Sequence, residues 1–138
     1  MRPILRSTLA VIAGFVVASM LMMLVEFLNG QVLHPELGRA AAGMTDREAI
    51  RALLSAAPVT AFLVVLAGWM LGAFAGGWVA ARLAPRATLR HGLVLGVILT
   101  LAGIANNLMI PPPLWFWVAG LVVFVPAAYA GASLAPRR

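Results

Sequence analysis

Apolar residues run almost unbroken through four stretches, from about Thr8 to Leu28, Pro58 to Arg82, Gly92 to Ile110 and Leu114 to Leu134, with polar residues collected between them. Rising 1.5 Å per residue as helices, runs of about 20 residues cross a hydrocarbon core roughly 30 Å thick, and the shortest, the third, reaches about 28 Å. The pattern predicts an all-α integral membrane protein: a four-helix bundle forming one membrane domain over residues 1–138.

Small residues recur within these runs. Gly68, Gly72, Gly76 and Ala80 follow one another every fourth residue in the second span, and Ala73, Gly77 and Ala81 form a second row beside them. In water each glycine would cost a helix about 1 kcal/mol relative to alanine, but in lipid small residues let two helix backbones approach closely. This glycine-zipper spacing predicts that the second span presents one flank to another helix. Comparable stripes run through Ala10, Gly14, Ala18 and Met22 in the first span, Gly92, Gly96, Thr100, Gly103 and Asn107 in the third, and Ala127, Gly131 and Ala135 in the fourth.

The connections carry their own signals. Asn29 to Ala57 is the longest, and Thr45-Asp46-Arg47-Glu48 fits a capping box opening a short amphipathic helix over about 46–56, with Ile50, Leu53, Leu54 and Ala57 on one face. Such a helix lies on the membrane surface or on the bundle, as a connector or as a lid. Pro58 suits a first helical turn, Pro111-Pro112-Pro113 forbids a continued helix, and Pro126 predicts a kink in the fourth span. The second and fourth spans end alike, in Ala80-Ala81-Arg82-Leu83-Ala84-Pro85-Arg86 and Gly131-Ala132-Ser133-Leu134-Ala135-Pro136-Arg137, which would fit a duplicated hairpin or a coincidence of low-complexity sequence.

Composition agrees with the pattern: 63% of residues are hydrophobic and 10% charged, with a mean hydropathy of +1.01, against roughly 25% charged in a soluble domain. The formal charge of +6 would suggest nucleic acid, but the arginines lie in short segments flanking apolar runs rather than along one basic face. The charge reports orientation instead. The N-terminus, the second-to-third connection and the C-terminus carry seven arginines (Arg2, Arg6, Arg82, Arg86, Arg90, Arg137, Arg138) and no acid, whereas the first connection balances three arginines with three acids. Both termini are therefore expected on the cytoplasmic side of a bacterial inner membrane, with Trp115 and Trp117 in the outer interfacial belt.

Candidate chemistry is sparse. Glu26 is the one carboxylate inside a predicted span; an acid at a helix centre costs about 2.5–3.5 kcal/mol on insertion scales, less near an end, where Glu26 lies. It continues the small flank of the first span and is expected to face the bundle. The orientation gathers Glu26, Asn29, Gln31 and His34 at the same level as Asn106 and Asn107, a set suited to a cation, a proton or a polar head group, or to tying helix ends together. One histidine with Glu26 and Glu36 falls short of a metal cage, and His34 and His91 fall on opposite faces, which excludes a bis-histidine haem. No nucleophile motif, phosphate loop or dinucleotide loop occurs, so no catalytic residue, metal or cofactor is expected.

At Glu26, His34-Pro35, Gly68 to Ala81 and Ile110-Pro111-Pro112-Pro113-Leu114-Trp115-Phe116-Trp117 the chain resembles a loose group of uncharacterised four-span bacterial inner-membrane proteins. The resemblance implies topology alone. The chain is also similar to small multidrug resistance transporters in having four short spans and one carboxylate in the first, but Glu26 is displaced toward one end, the first connection is long and the arginine bias fixes one orientation. The functional expectation is a non-enzymatic accessory, scaffold or assembly subunit, packing through its small-residue faces within the monomer and against the bilayer, a second copy or a larger membrane complex, not nucleic acid. The alternative is a small transporter or ion-conducting protein using Glu26 and the polar cluster.

Overall fold

A computed structural model describes residues 2–86 and 88–136; Arg137 and Arg138, which enter the charge bias, lie outside them. Four helices in it are long and apolar enough to cross a membrane: α1 (Arg2–Leu28), α4 (Val59–Leu83), α5 (Thr88–Met109) and α6 (Leu114–Leu134), packed as an all-α bundle. α1 is longer than its apolar run because Arg2 and Arg6 extend it, which carries both guanidiniums beyond a core roughly 30 Å thick.

The first connection holds more structure than one amphipathic helix. α1 widens into a π-helical turn over Asn29–Leu33, closed by the His34 amide on the Asn29 carbonyl (2.7 Å). α2 (Pro35–Ala41), opened by a proline at its first position, folds back so that Gly38 lies against the backbone of Gly30. After Gly43, at φ +72°, comes α3 (Arg47–Ala56). Its cap differs from the expected one: Asp46, not Thr45, is the N-cap, its Oδ2 accepting from the Ala49 amide at 2.8 Å. A carboxylate at the cap satisfies an orphan amide as a hydroxyl would, here that of Ala49 instead of Glu48, and also meets the positive end of the helix dipole.

The ends of α4 and α6 show what their shared Leu-Ala-Pro sequence does. Leu83 and Leu134 are the last helical residues, and Ala84 (φ −61°, ψ 137°) and Ala135 (φ −67°, ψ 131°) take the same extended conformation. A residue before proline is pushed out of the helical region, so the two ends match for a local reason. Pro58 is the N-cap of α4 rather than its first residue, and α6 runs unbroken through Pro126, whose ring lies on the exposed side.

α4 is the hub, with α1 and α6 as its principal neighbours, and its two small rows meet different helices. The Gly68–Gly72–Gly76 row faces α1: a Cβ built on Gly76 would lie 2.5 Å from the Gly14 carbonyl oxygen, one on Gly72 2.7 Å from the Ala18 carbonyl, and one on Gly68 2.8 Å from the Val25 Cβ. The neighbouring row faces α6, where Gly77 abuts the Ala128 backbone and Gly131 abuts Phe74. The sequence expectation of one flank is thereby corrected to two, because rows one residue apart are turned about 100° from each other on a helix. α5 packs on α6 through Gly92 against Ala132, Gly96 against Val125, and Gly103 against Phe124.

Adding a methyl at these contacts requires backbone to move. Gly76→Ala and Gly77→Ala are each expected to lower stability by about 1–3 kcal/mol, whereas Leu71→Ala, on the exposed side of α4, changes it little. Reversible unfolding in detergent followed by circular dichroism checks the contrast.

Candidate functional site

The end of the bundle bearing α2 and α3 borders a half-open cavity of about 370 Å³, within the size range of small-molecule sites. α3 serves as its lid. Ile50, Leu53 and Leu54, from its apolar face, line the cavity, and the Arg47 Nε donates to the Leu108 carbonyl (2.9 Å), fastening the lid to the last turn of α5. The Arg51–Glu48 pair on its outer face is exposed at 3.9 Å and contributes little.

Trp69 forms one wall. Heading the row that continues as Ala73 and Gly77, it is 4% exposed and packs its six-membered ring against Gly120 of α6, where a Cβ would come within 2.6 Å of the ring. Phe116 and Phe124 flank it, with ring centroids at 5.1 and 5.2 Å. Its indole N–H donates to the Glu26 Oε1 at 2.8 Å. Glu26 lines the cavity while remaining exposed, so it sits on the rim, and among the described residues no cation pairs with it.

Asn107 lies deeper. It continues the α5 stripe of Gly96 and Gly103 and is fully buried, yet it lines the cavity with neither its Nδ2 nor its Oδ1 hydrogen-bonded. An unpaired buried amide costs about 1–3 kcal/mol, so the cavity beside Asn107 is where its donor and its acceptor have room for a partner. Asn106 lines the same cavity from the exposed side.

The other sequence candidates are occupied structurally. The Asn29 Nδ2 donates to the Ala61 carbonyl (3.0 Å), which fixes its Oδ1 as the acceptor for the His34 Nδ1–H (2.7 Å) and leaves the His34 Nε2 to pair with the Thr60 hydroxyl (2.9 Å). This chain ties the π-helical turn to the first turn of α4. Asn29 still lines the cavity, but His34 does not, and Gln31 and Glu36 are exposed outside it. The packing glycines Gly14, Gly68, Gly72, Gly76, Gly77, Gly92, Gly96, Gly103 and Gly131 are all buried at helix contacts.

Sequence reasoning did not assemble Trp69, Phe116 and the α3 face into one site. One signal was available: a tryptophan at the head of a small-residue row needs a groove to lie in, and Gly120 supplies it. Comparison with protein families, characterised proteins and solved structures finds no match. Fold and site together define a four-span α-helical bundle with a lidded cavity that combines a rim carboxylate, an unpaired carboxamide and an aromatic wall.

Replacing Asn107 with leucine removes two unpaired polar atoms and is expected to raise the stability of the ligand-free protein by about 1–3 kcal/mol, while Trp69→Phe, which takes the donor from Glu26, lowers it by about 1.5–3 kcal/mol. Denaturant titration in detergent distinguishes the two. A destabilised Asn107→Leu protein would mean that Asn107 serves packing.

Proposed function

We propose that this is a non-enzymatic, multi-pass membrane protein that takes up a small amphiphilic cation in the lidded cavity, as a small transporter does. Asn107 carries the reading: it is a buried carboxamide that lines the cavity with neither its Nδ2 nor its Oδ1 hydrogen-bonded within the bundle, so a polar group of a ligand seated there would meet both. Glu26 supplies the countercharge for the cationic group, Trp69 and Phe116 offer π faces, and Leu53 and Leu54 of the lid cover the apolar part. The arginine bias supports a bacterial inner membrane with both termini cytoplasmic, so that the lid opens outward.

The accessory or scaffold reading draws on the small-residue faces. These pack α1, α4, α5 and α6 against one another, which supports a role inside the monomer more than toward a partner. The cavity is then the feature whose chemistry the fold leaves open.

Reconstitution into liposomes with octylammonium as the probe tests the proposal. Saturable uptake is expected, lost in Glu26→Gln and reduced at least about tenfold in Asn107→Leu, with both variants folded by circular dichroism. No uptake and no binding, or uptake equal in wild type and Glu26→Gln, would overturn it.

A further inference from the structure

The opposite end of the bundle carries chemistry that the lidded cavity does not use. Arg2, Arg6 and Arg86 line a cavity of about 670 Å³ between the start of α1 and the α4–α5 turn. Arg90 and His91 head a second, of about 410 Å³, whose floor is Val11, Ile12, Val94 and Ile98. Ser7 and Thr8 line both, so the two form one continuous groove along the seam between α1 and α5. The charged part and the apolar part follow each other down the helices. From Arg90 to Ile98 the groove runs about 12 Å along α5.

Among the described residues, none of the four guanidiniums has an ion-pair or hydrogen-bond partner, and neither has the Ser7 hydroxyl; no acid lines either cavity. The bundle therefore presents four exposed guanidiniums and a hydroxyl donor above an open apolar groove. Guanidinium matches phosphate oxygens in a bidentate fork, and basic pockets between spans attract anionic head groups. A free phosphate would leave the apolar floor uncovered, and a nucleic acid could not follow that floor below the membrane surface.

We infer that this groove seats an anionic phospholipid, its phosphate among Arg2, Arg6, Arg86 and Arg90 and an acyl chain over Val11, Ile12, Val94 and Ile98. The lipid fills the seam that α1 and α5 leave between them. It occupies the end of the bundle remote from the lid, so the site stands or falls independently of cation uptake.

Native mass spectrometry of the protein in mild detergent, titrated with phosphatidylglycerol, phosphatidylcholine of the same chains, or inorganic phosphate, tests it. Phosphatidylglycerol is expected to be retained over phosphatidylcholine, with affinity falling about fivefold in Arg6→Gln and roughly 30-fold in Arg6→Gln/Arg90→Gln. Arg51→Gln, on the exposed face of α3, removes the same charge elsewhere and should have no effect. Filling the floor with Val94→Trp should weaken the lipid without touching the arginines. Equal binding of the two lipids, an Arg51→Gln loss matching that of Arg6→Gln, or competition by phosphate alone at the lipid's own concentration would each overturn the assignment.

Discussion

Backbone-to-backbone contact on both sides of α4 is the constraint from which the rest of the molecule follows. The apolar surface of a span is as well solvated by lipid tails as by another helix, so association rests on close packing rather than on escape from water. α4 achieves it with two small-residue rows roughly a quarter-turn apart, one closing on Gly14 and Ala18 of α1, the other side on Ala128 and Gly131 of α6. Contact this close leaves little freedom in register, because a shift of one residue would bring a side chain where only a hydrogen fits.

That fixed register is what brings the polar groups together. Gly68 against Val25 brings the next residue of each helix, Trp69 and Glu26, within side-chain reach across the antiparallel pair, and the indole–carboxylate bond is the result. On the other side the Gly77 row carries Trp69 onto Gly120, which places its ring between Phe116 and Phe124. The α5 stripe packed on α6 then ends in Asn107, buried at the same level. Helices clamped along their lower length thus leave a space at one end that bulky aromatic walls hold open and α3 covers. The other end differs in kind: α1 and α5 touch directly but more lightly than either touches its main partner, and the arginines line the seam between them.

Much of this was legible in the sequence because it rests on period and length. Four apolar runs of spanning length gave the helices, the recurrence of glycine every fourth residue gave the packing rows, and Leu-Ala-Pro gave two helix ends. Glu26 was visible as the one carboxylate in a span, and Asn107 as the polar end of a small stripe. What stayed hidden depends on which helix faces which. Periodicity places Gly76 and Gly77 on adjoining flanks but cannot name α1 and α6 as their partners, and nothing local says that His34 will be held by Asn29 and Thr60 while Asn107 is left unpaired. The π-helical turn and α2 were missed because Asn29 to Ala41 is short, polar and without a clear period. The cap of α3 moved from Thr45 to Asp46 because both residues can serve, and the choice is made by where the chain enters the helix after Gly43.

The register of α1 against α4 is open to direct measurement, since the chain contains no cysteine and an introduced pair reports without background. In Val25→Cys/Gly68→Cys the two Cβ atoms would start about 2.8 Å apart, closer than the roughly 3.5–4.5 Å of a disulfide, so the helices part by about 1 Å to form one, and the valine methyls that crowd Gly68 are removed by the same substitution. Mild oxidation in intact membranes should give a rapid cross-link within a single chain, seen as a monomer of altered gel mobility that reverts on reduction. Cross-linked dimers, or no cross-link while a pair one turn away reacts, would contradict the account.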